Sequence, residues 1–131
     1  MSGGGTTERF TTEHWPVELR LKQAEKVLEI DFDDGTSFRL PAEYLRVESP
    51  SAEVQGHGQG QKQLVAGRAK VGIIALEPVG NYAVRITFDD LHETGIYSWA
   101  YLYELGVEYE KRWRTYLDAL AANGLSREPA R

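Results

Sequence analysis

A short segment that occurs twice is the strongest constraint on how this chain can fold. Residues 30–34 read IDFDD and residues 86–90 read ITFDD, at an offset of 86 − 30 = 56. One inserted residue later, residues 41–45 (PAEYL) align with residues 98–102 (SWAYL). The alignment predicts two copies of a unit that runs strand, turn, strand, turn, strand and short helix. A chance similarity between two ordinary hairpins with aspartate turns explains the same match, and the sequence leaves both interpretations open.

The first copy has the alternation of a half-buried strand. Val17, Leu19 and Leu21 alternate with polar residues, which is the two-residue period of a strand with one face in the core. After a second apolar run, residues 33–35 (DDG) predict a hairpin turn, because glycine tolerates a positive φ angle. The proline that follows suits the first position of a helix, so a helix of about one turn is predicted over residues 42–46.

The second copy begins with an apolar strand over residues 71–76, and residues 78–81 (PVGN) predict the turn that follows. Ser98 comes after the return strand and is a good N-cap, because its hydroxyl can accept a bond from an unpaired N–H of the first helical turn. Gly106 is expected to interrupt this helix. A last helix is predicted from about residue 107 to residue 122.

The last helix has one apolar stripe and a clear end. The residues expected to face the core are Tyr109, Trp113, Tyr116, Leu117 and Leu120. Asn123 and Gly124 predict the end of the helix, and Leu125 is placed to make the apolar contact that accompanies a left-handed cap.

These patterns predict an α+β fold in which two repeated three-stranded antiparallel units, each followed by a short helix, are closed by a C-terminal helix. Residues 15–125 are expected to form a single domain, and a loop over residues 48–63 joins its two β-rich halves. A loop of this length is usually either functional or disordered, and both interpretations stay open. We expect residues 1–14 to be a disordered leader and residues 126–131 to be a frayed tail.

Composition disfavours several classes of function. The 131 residues contain no cysteine, which removes disulfides and thiolate chemistry and fits a reducing cytoplasm. Lys and Arg number 15 and Asp and Glu number 20, so the net charge of 15 − 20 = −5 disfavours nucleic acid as a partner. The one basic segment, residues 111–114 (KRWR), is interpreted as the solvated face of a helix. No apolar stretch is long enough to span a bilayer, so we expect a cytoplasmic protein that does not bind a membrane.

No set of catalytic residues stands out. The glycines at 56, 58 and 60 do not make a phosphate loop, because no apolar strand precedes them and no Gly-Lys-Ser/Thr follows. Ser98 follows Gly-Ile-Tyr, which is not the Gly-x-Ser-x-Gly of a nucleophile elbow. The aspartate pairs at 33–34 and 89–90 are explained as turn residues. We therefore predict no catalytic residue and no cofactor.

One cluster is a candidate metal site. His92 lies near Asp89 and Asp90 in the sequence, and His57 of the loop is a further candidate ligand for zinc or iron. A metal site needs three or four convergent ligands, which the spacing of these residues does not by itself provide. A solvent-exposed hairpin tip explains the same cluster, and we favour that interpretation.

Residues 97–103 (YSWAYLY) form a dense aromatic segment. Helical geometry turns part of this segment outward, so Tyr101 and Tyr103 are candidate anchors of a protein-interaction surface. The other predicted contact residues of this surface belong to the loop: Gln55, His57 and Gln59. Packing in the core, with one hydroxyl reaching water, is the alternative for the tyrosines and the one that we favour.

Residues 92–99 (HETGIYSW), together with the Tyr-Leu pair that follows at 101–102, resemble a known bacterial domain family of unknown function. That family is similar to the N-terminal domain of gamma-butyrobetaine hydroxylase. Residues 40–46 (LPAEYLR) and 49–54 (SPSAEV) fit the same family, and the resemblance covers about residues 16–106.

The resemblance also carries an expectation about metal. The hydroxylase domain holds a structural zinc through three cysteines, spaced C-x-C-x-x-C, and one histidine. The resemblance places these ligands at Ser49, Ser51, Val54 and His92. Serine is a poor zinc ligand and valine is none, so we expect no structural zinc and a fold held by its apolar core.

The resemblance does not imply hydroxylase activity, because the oxygenase chemistry of the hydroxylase lies in a separate domain. We instead predict a noncatalytic cytoplasmic accessory module that binds another protein, of unidentified kind, through the loop over residues 48–63 and the exposed part of the aromatic segment. Related domains also occur fused to P-loop ATPases that carry iron–sulfur clusters. That association implies the alternative of a metal-binding accessory factor in iron–sulfur protein assembly.

Overall fold

The computed structural model describes residues 14–50, 64–90 and 94–129 of the chain. In these residues the first sheet consists of β1 (Pro16–Lys22), β2 (Val27–Phe32) and β3 (Ser37–Pro41), and helix α1 (Ala42–Val47) follows it. The second sheet consists of β4 (Ile73–Val79), β5 (Ala83–Phe88) and β6 (Thr94–Ser98). Helices α2 (Trp99–Val107) and α3 (Tyr109–Ala122) follow the second sheet. Both sheets are antiparallel, with the strands in chain order, so the predicted α+β architecture is confirmed.

The two sheets repeat each other down to their irregularities. β2 and β5 have the same alternation of buried and half-buried residues. The register of β1 against β2 shifts between Pro16 and Glu18, and that of β4 against β5 shifts between Ile73 and Ala75, 57 residues later. A shared bulge at equivalent positions indicates that the two units have one architecture rather than two similar turns.

Two tyrosines, the buried Tyr44 and the half-buried Tyr101, show how the units face each other. The Tyr44 hydroxyl donates to the Leu105 carbonyl at 2.7 Å, and the Tyr101 hydroxyl donates to the Glu48 carbonyl at 2.6 Å. The two donors are 57 residues apart, and so are the two acceptors, but donor and acceptor exchange units. Each unit therefore anchors the end of the other unit's helix, as an approximate two-fold axis requires.

Turn aspartates obey the same relation. The Trp15 N–H donates to Asp33 Oδ1 at 3.3 Å, and the Gly72 N–H donates to Asp89 Oδ1 at 2.9 Å. In each unit, the carboxylate at the end of the middle strand thus satisfies a backbone donor just before the first strand. This pairing explains why both copies carry aspartate at this position.

The core lies between the two units. Its fully buried members come from both sheets and from α1 and α2, and include Leu28, Ile30, Leu45, Ile86, Phe88, Leu102 and Leu105. Helix α1 is buried along its whole length. A smaller cluster joins Val47 of α1 to Tyr116 and Leu120 of α3, so α3 covers the side of the core that the two sheets leave open.

Some predicted boundaries were wrong. β4 begins at Ile73 and continues through Pro78 and Val79, which were expected in the turn; β4 is an edge strand, where a proline needs no ladder partner. Gly106 does not interrupt its helix, and the break falls at Glu108. Gly106 instead provides space, because a Cβ there would lie 2.5 Å from both Cδ atoms of Phe38.

The C-terminal end of α3 is as predicted. Gly124 has a φ of 67°, Leu125 N–H donates to the Leu120 carbonyl at 2.9 Å, and Gly124 N–H donates to the Ala121 carbonyl at 3.2 Å. These two bonds form a Schellman motif. Two exposed side chains differ from the predicted stripes: Val17, 70% exposed beside the bulge of β1, and Leu117, 38% exposed on α3.

The tail also differs from the expected fraying. Gly67 N–H donates to the Ser126 carbonyl and Ala69 N–H to the Arg127 carbonyl, both at 2.9 Å. The Arg127 guanidinium makes two bonds to the Glu43 carboxylate, at 2.7 and 2.8 Å. The tail is therefore attached to the core through at least Arg127. No helix within the described residues is both long and apolar enough to cross a membrane.

Candidate functional site: a groove along the C-terminal helix

Helix α1 and its C-cap residue together carry three charged residues, although all three are buried. Buried charges are costly unless they are paired, and each of these has a partner from a distant part of the chain. The pairs are Glu43 with Arg127, Arg46 with Asp90, and Glu48 with Arg112. The segment of α1 and its C-cap therefore forms ion pairs with the end of the second sheet's middle strand, with α3 and with the tail.

Asp90, a predicted metal ligand, is part of this ion-pair system. Its Oδ2 accepts a bond from Arg46 Nε at 2.7 Å and lies 3.0 Å from Arg68 Nε. The equivalent position in the first unit is Asp34, which accepts a bond from the Tyr103 hydroxyl at 2.6 Å. The same contact across the two-fold axis is therefore an ion pair in one unit and a hydrogen bond from a neutral hydroxyl to a carboxylate in the other.

The predicted metal cluster is only partly placed by the structure. The Asp89 carboxylate accepts a hydrogen bond from the Gly72 N–H, and the Asp90 carboxylate forms ion pairs with Arg46 and Arg68. In residues 14–50, 64–90 and 94–129, no three His, Cys, Asp or Glu side chains come together in a way that could hold a metal. His57 and His92 lie outside the described residues, so the metal prediction stays a prediction.

Of the positions that match the zinc ligands of the family, Ser49 alone is described; Ser51, Val54 and His92 lie outside the described residues. Ser49 is fully buried against Gly95, where a Cβ would lie 2.9 Å from its Oγ. By the two-fold relation this contact is equivalent to that of Phe38 with Gly106. Ser49 therefore serves a packing contact that the fold uses twice.

The predicted interaction tyrosines are half-buried, and their hydroxyls bond within the chain. The Tyr101 hydroxyl donates to the Glu48 carbonyl, and burial raises the pKa of Tyr101 above the ordinary value. Tyr103 donates to Asp34, and with the Thr36 N–H this bond lowers the pKa of that carboxyl to about 2. The predicted loop contacts, Gln55, His57 and Gln59, lie outside the described residues.

A cavity of about 560 Å³ lies along α3. Its walls are the end of α1, residues 64–65 and one stripe of the last helix. The α3 stripe and its cap positions are Glu108, Lys111, Arg112, Thr115, Tyr116, Ala119 and Asn123, at the three- and four-residue spacing of one helix face. Val47, Glu48, Leu64 and Val65 complete the lining. We refer to this cavity as the groove.

One end of the groove is charged. Arg112 donates from Nε to Glu108 at 2.8 Å, from Nη1 to Glu48 at 3.0 Å and from Nη2 to Glu104. Its guanidinium also lies over the Tyr101 ring, 5.9 Å from the centroid. Burial lowers the pKa of Arg112, but the bond to Glu108 and the other carboxylates outweigh burial and hold that pKa above its ordinary value. Arg112 is therefore a permanent cation with every nitrogen engaged.

The other end of the groove is apolar. Leu64, Val65 and Ala119 line it, and the Tyr116 hydroxyl donates to the Val65 carbonyl at 2.7 Å. Burial raises the pKa of Tyr116 to about 12, so this hydroxyl stays protonated and keeps its bond. The bond fixes residues 64–65 against α3 and so fixes the width of the groove.

Sequence reasoning missed this groove. Residues 111–114 were interpreted as a solvated face, but Arg112 is bound to three carboxylates. One pattern in the sequence could have indicated the groove. Beside the aromatic stripe of α3 lies a second stripe of small or short polar residues, Thr115, Ala119 and Asn123. Such a stripe leaves a depression on the helix surface, although the sequence does not say what faces it.

The fold and the groove define a class: a small α+β domain of two pseudosymmetric three-stranded units with a helix-lined groove. The sequence model described as "Gamma-butyrobetaine hydroxylase-like, N-terminal" matches residues 19–103. The chain belongs to this family. Of the charged end of the groove, Glu48 lies within the matched residues, whereas Glu104, Glu108 and Arg112 lie beyond them.

Solved structures agree with this assignment. Two proteins known from NMR solution structures share 44% and 47% identity with the chain, each with a TM-score of 0.78. The alignments cover 90% and 97% of this chain and 93% and 94% of those chains. A crystal structure of a protein of unknown function from Acidithiobacillus ferrooxidans shares 41% identity over 70% of this chain and 91% of that chain, with a TM-score of 0.59. No curated protein matches the chain.

Proposed function

We propose that this chain is a noncatalytic accessory module that binds a peptide segment of another protein in the groove. The supporting observation is the groove itself. Its volume of about 560 Å³ falls in the range of binding sites, and apolar side chains line one of its ends. The ionisable groups at the other end are held in mutual ion pairs, which suits them to recognition rather than to proton transfer.

The shape of the groove favours a peptide over a compact small molecule. The lining stripe runs from Glu108 to Asn123, and 15 residues of helix extend about 22 Å. A volume of about 560 Å³ spread along that length makes a long and shallow site. An amphipathic helix laid against such a groove would bury side chains at three- and four-residue spacing.

Site-specific crosslinking tests this proposal. We would place the photoreactive residue p-benzoylphenylalanine at Thr115, which lines the groove, and separately at the exposed Leu117 on the same helix. In cells that naturally make the protein, we expect one discrete adduct from position 115 and none from position 117. The substitution Ala119→Trp fills the groove and should abolish the adduct. Equal adducts from both positions, or an adduct that survives Ala119→Trp, would exclude the groove as the binding site.

A further inference from the structure

The charged end of the groove has an excess of negative charge. Glu48 and Glu108 line this end, and Glu104 of α2 lies beside the lining, bound to Arg112. The three carboxylates surround the one guanidinium of Arg112, so the four groups together carry −3 + 1 = −2. The accessible part of this charge is acidic: the side chains of Glu104 and Glu108 are 49% and 40% exposed, whereas that of Arg112 is 23% exposed. A ligand that reaches this end therefore meets Glu104 and Glu108 before it meets Arg112.

The two cations of the lining, Arg112 and Lys111, do not make this end of the groove attractive to anions. All three nitrogens of Arg112 donate to carboxylates, so an anionic ligand would have to displace one of them. Lys111 is the other cation of the lining and reduces the local excess to −1. The whole chain carries −5, which adds a long-range attraction for cations.

We infer that the groove selects a cationic amphipathic segment, in which a large apolar side chain is separated from Lys or Arg by about three helical turns. This inference rests on the proposed function. The spacing follows from the groove, because Ala119 at the apolar end and Glu108 at the acidic end are 11 residues apart, or about 16 Å along the helix. The apolar side chain occupies the end lined by Leu64 and Val65, and the cation pairs with Glu104 and Glu108.

Two synthetic peptides test the charge preference directly. Both are 16-residue amphipathic helices with the same leucine and phenylalanine positions, and one carries lysine where the other carries glutamate. We expect isothermal titration calorimetry of the full chain to give at least 10-fold tighter binding of the lysine peptide. Its affinity should fall as salt rises from 50 to 300 mM, because exposed ion pairs are screened.

Matched variants locate the effect. The double substitution Glu104→Gln with Glu108→Gln should weaken the lysine peptide about 3- to 10-fold, the effect of two exposed ion pairs. The control, Glu110→Gln with Asp118→Asn, removes the same charge from exposed positions of α3 outside the groove and should change affinity less than 2-fold. Thermal melts of both variants establish that they are folded. A peptide affinity that falls equally in both variants would overturn the assignment to Glu104 and Glu108.

The remaining outcomes separate this inference from the proposed function. If both peptides bind equally and Ala119→Trp abolishes both, the groove binds peptides without charge selection, and the inference fails while the proposed function stands. If the glutamate peptide binds more tightly than the lysine peptide, the groove selects anionic segments and the inference fails. If the chain forms a dimer that peptide addition dissociates, a second copy occupies the groove and the inference fails. If no peptide binds and no adduct forms from position 115, both proposals fail.

Discussion

Replacing Gly106 with alanine should destabilise this protein, although alanine stabilises most helices relative to glycine. Gly106 lies within α2, where alanine would ordinarily contribute about 1 kcal/mol to the free energy of unfolding. A Cβ there would, however, lie 2.5 Å from both Cδ atoms of Phe38. Carbon atoms pack at about 3.5–4.0 Å, so the ring and the helix would have to separate by about 1 Å.

The expected loss follows from these two opposing effects. Overpacking a filled site typically costs about 1–3 kcal/mol, and Phe38 is constrained because its ring packs edge-on against Phe32 and Tyr103, at centroid distances of 6.0 and 5.4 Å. Because Phe38 cannot easily move aside, the cost should lie in the upper part of this range, at about 2–3 kcal/mol. The helical gain of about 1 kcal/mol then leaves Gly106→Ala with a net loss of about 1–2 kcal/mol in the free energy of unfolding.

A double-mutant cycle makes the reasoning refutable. In a Phe38→Ala background the obstructing ring is absent, so Gly106→Ala should raise the free energy of unfolding by about 1 kcal/mol. The sign of the effect thus reverses, with a coupling of about 2–3 kcal/mol between the two sites. Urea unfolding followed by tryptophan fluorescence and far-UV circular dichroism measures all four proteins. If Gly106→Ala has the same effect in both backgrounds, or stabilises the wild type, the close contact is not what requires glycine.

Three further predictions concern bonds and metal. Tyr44→Phe and Tyr101→Phe should each lower the free energy of unfolding by about 1–2 kcal/mol in urea titrations, because each removes a hydrogen bond to a carbonyl at an equivalent position; a loss confined to one variant would argue against the reciprocal arrangement. The pKa of the Asp34 carboxyl, followed by carbon NMR, should be about 2 and should return toward 3.8 in Tyr103→Phe. Because folding lowers this pKa, the stabilisation that it provides is present above about pH 4 and is lost as pH falls toward 2. If the pKa of Asp34 is the same in Tyr103→Phe as in the wild type, Tyr103 does not cause the shift. Chelator treatment should leave the thermal unfolding midpoint unchanged, and elemental analysis should find equal metal in the wild type and in His92→Ala; a stoichiometric metal lost together with folding would contradict a core held by apolar packing alone.

Local patterns were sufficient to predict most of the secondary structure. The alternation along residues 27–32 and 83–88 predicts strands because one side of each strand must be apolar, and both are central strands in the structure. Ser98 caps α2 as expected, accepting a bond from the Tyr101 N–H at 3.1 Å. Gly106 was misread because a glycine in a helix has two physical explanations, a break in the helix or a close neighbour. The ring that decides between them is 68 residues away in sequence.

The sequence by itself determined the repeated strand-and-helix unit, since strand period, turn residues and helix caps depend on neighbours within a few positions. Only the tertiary structure decided how the two units are paired and where the groove lies. Arg46 meets Asp90 across 44 residues, and Arg112 meets Glu48 across 64 residues. Such pairs depend on which faces of the units pack together, and that is set by the fit of the whole core rather than by any local pattern.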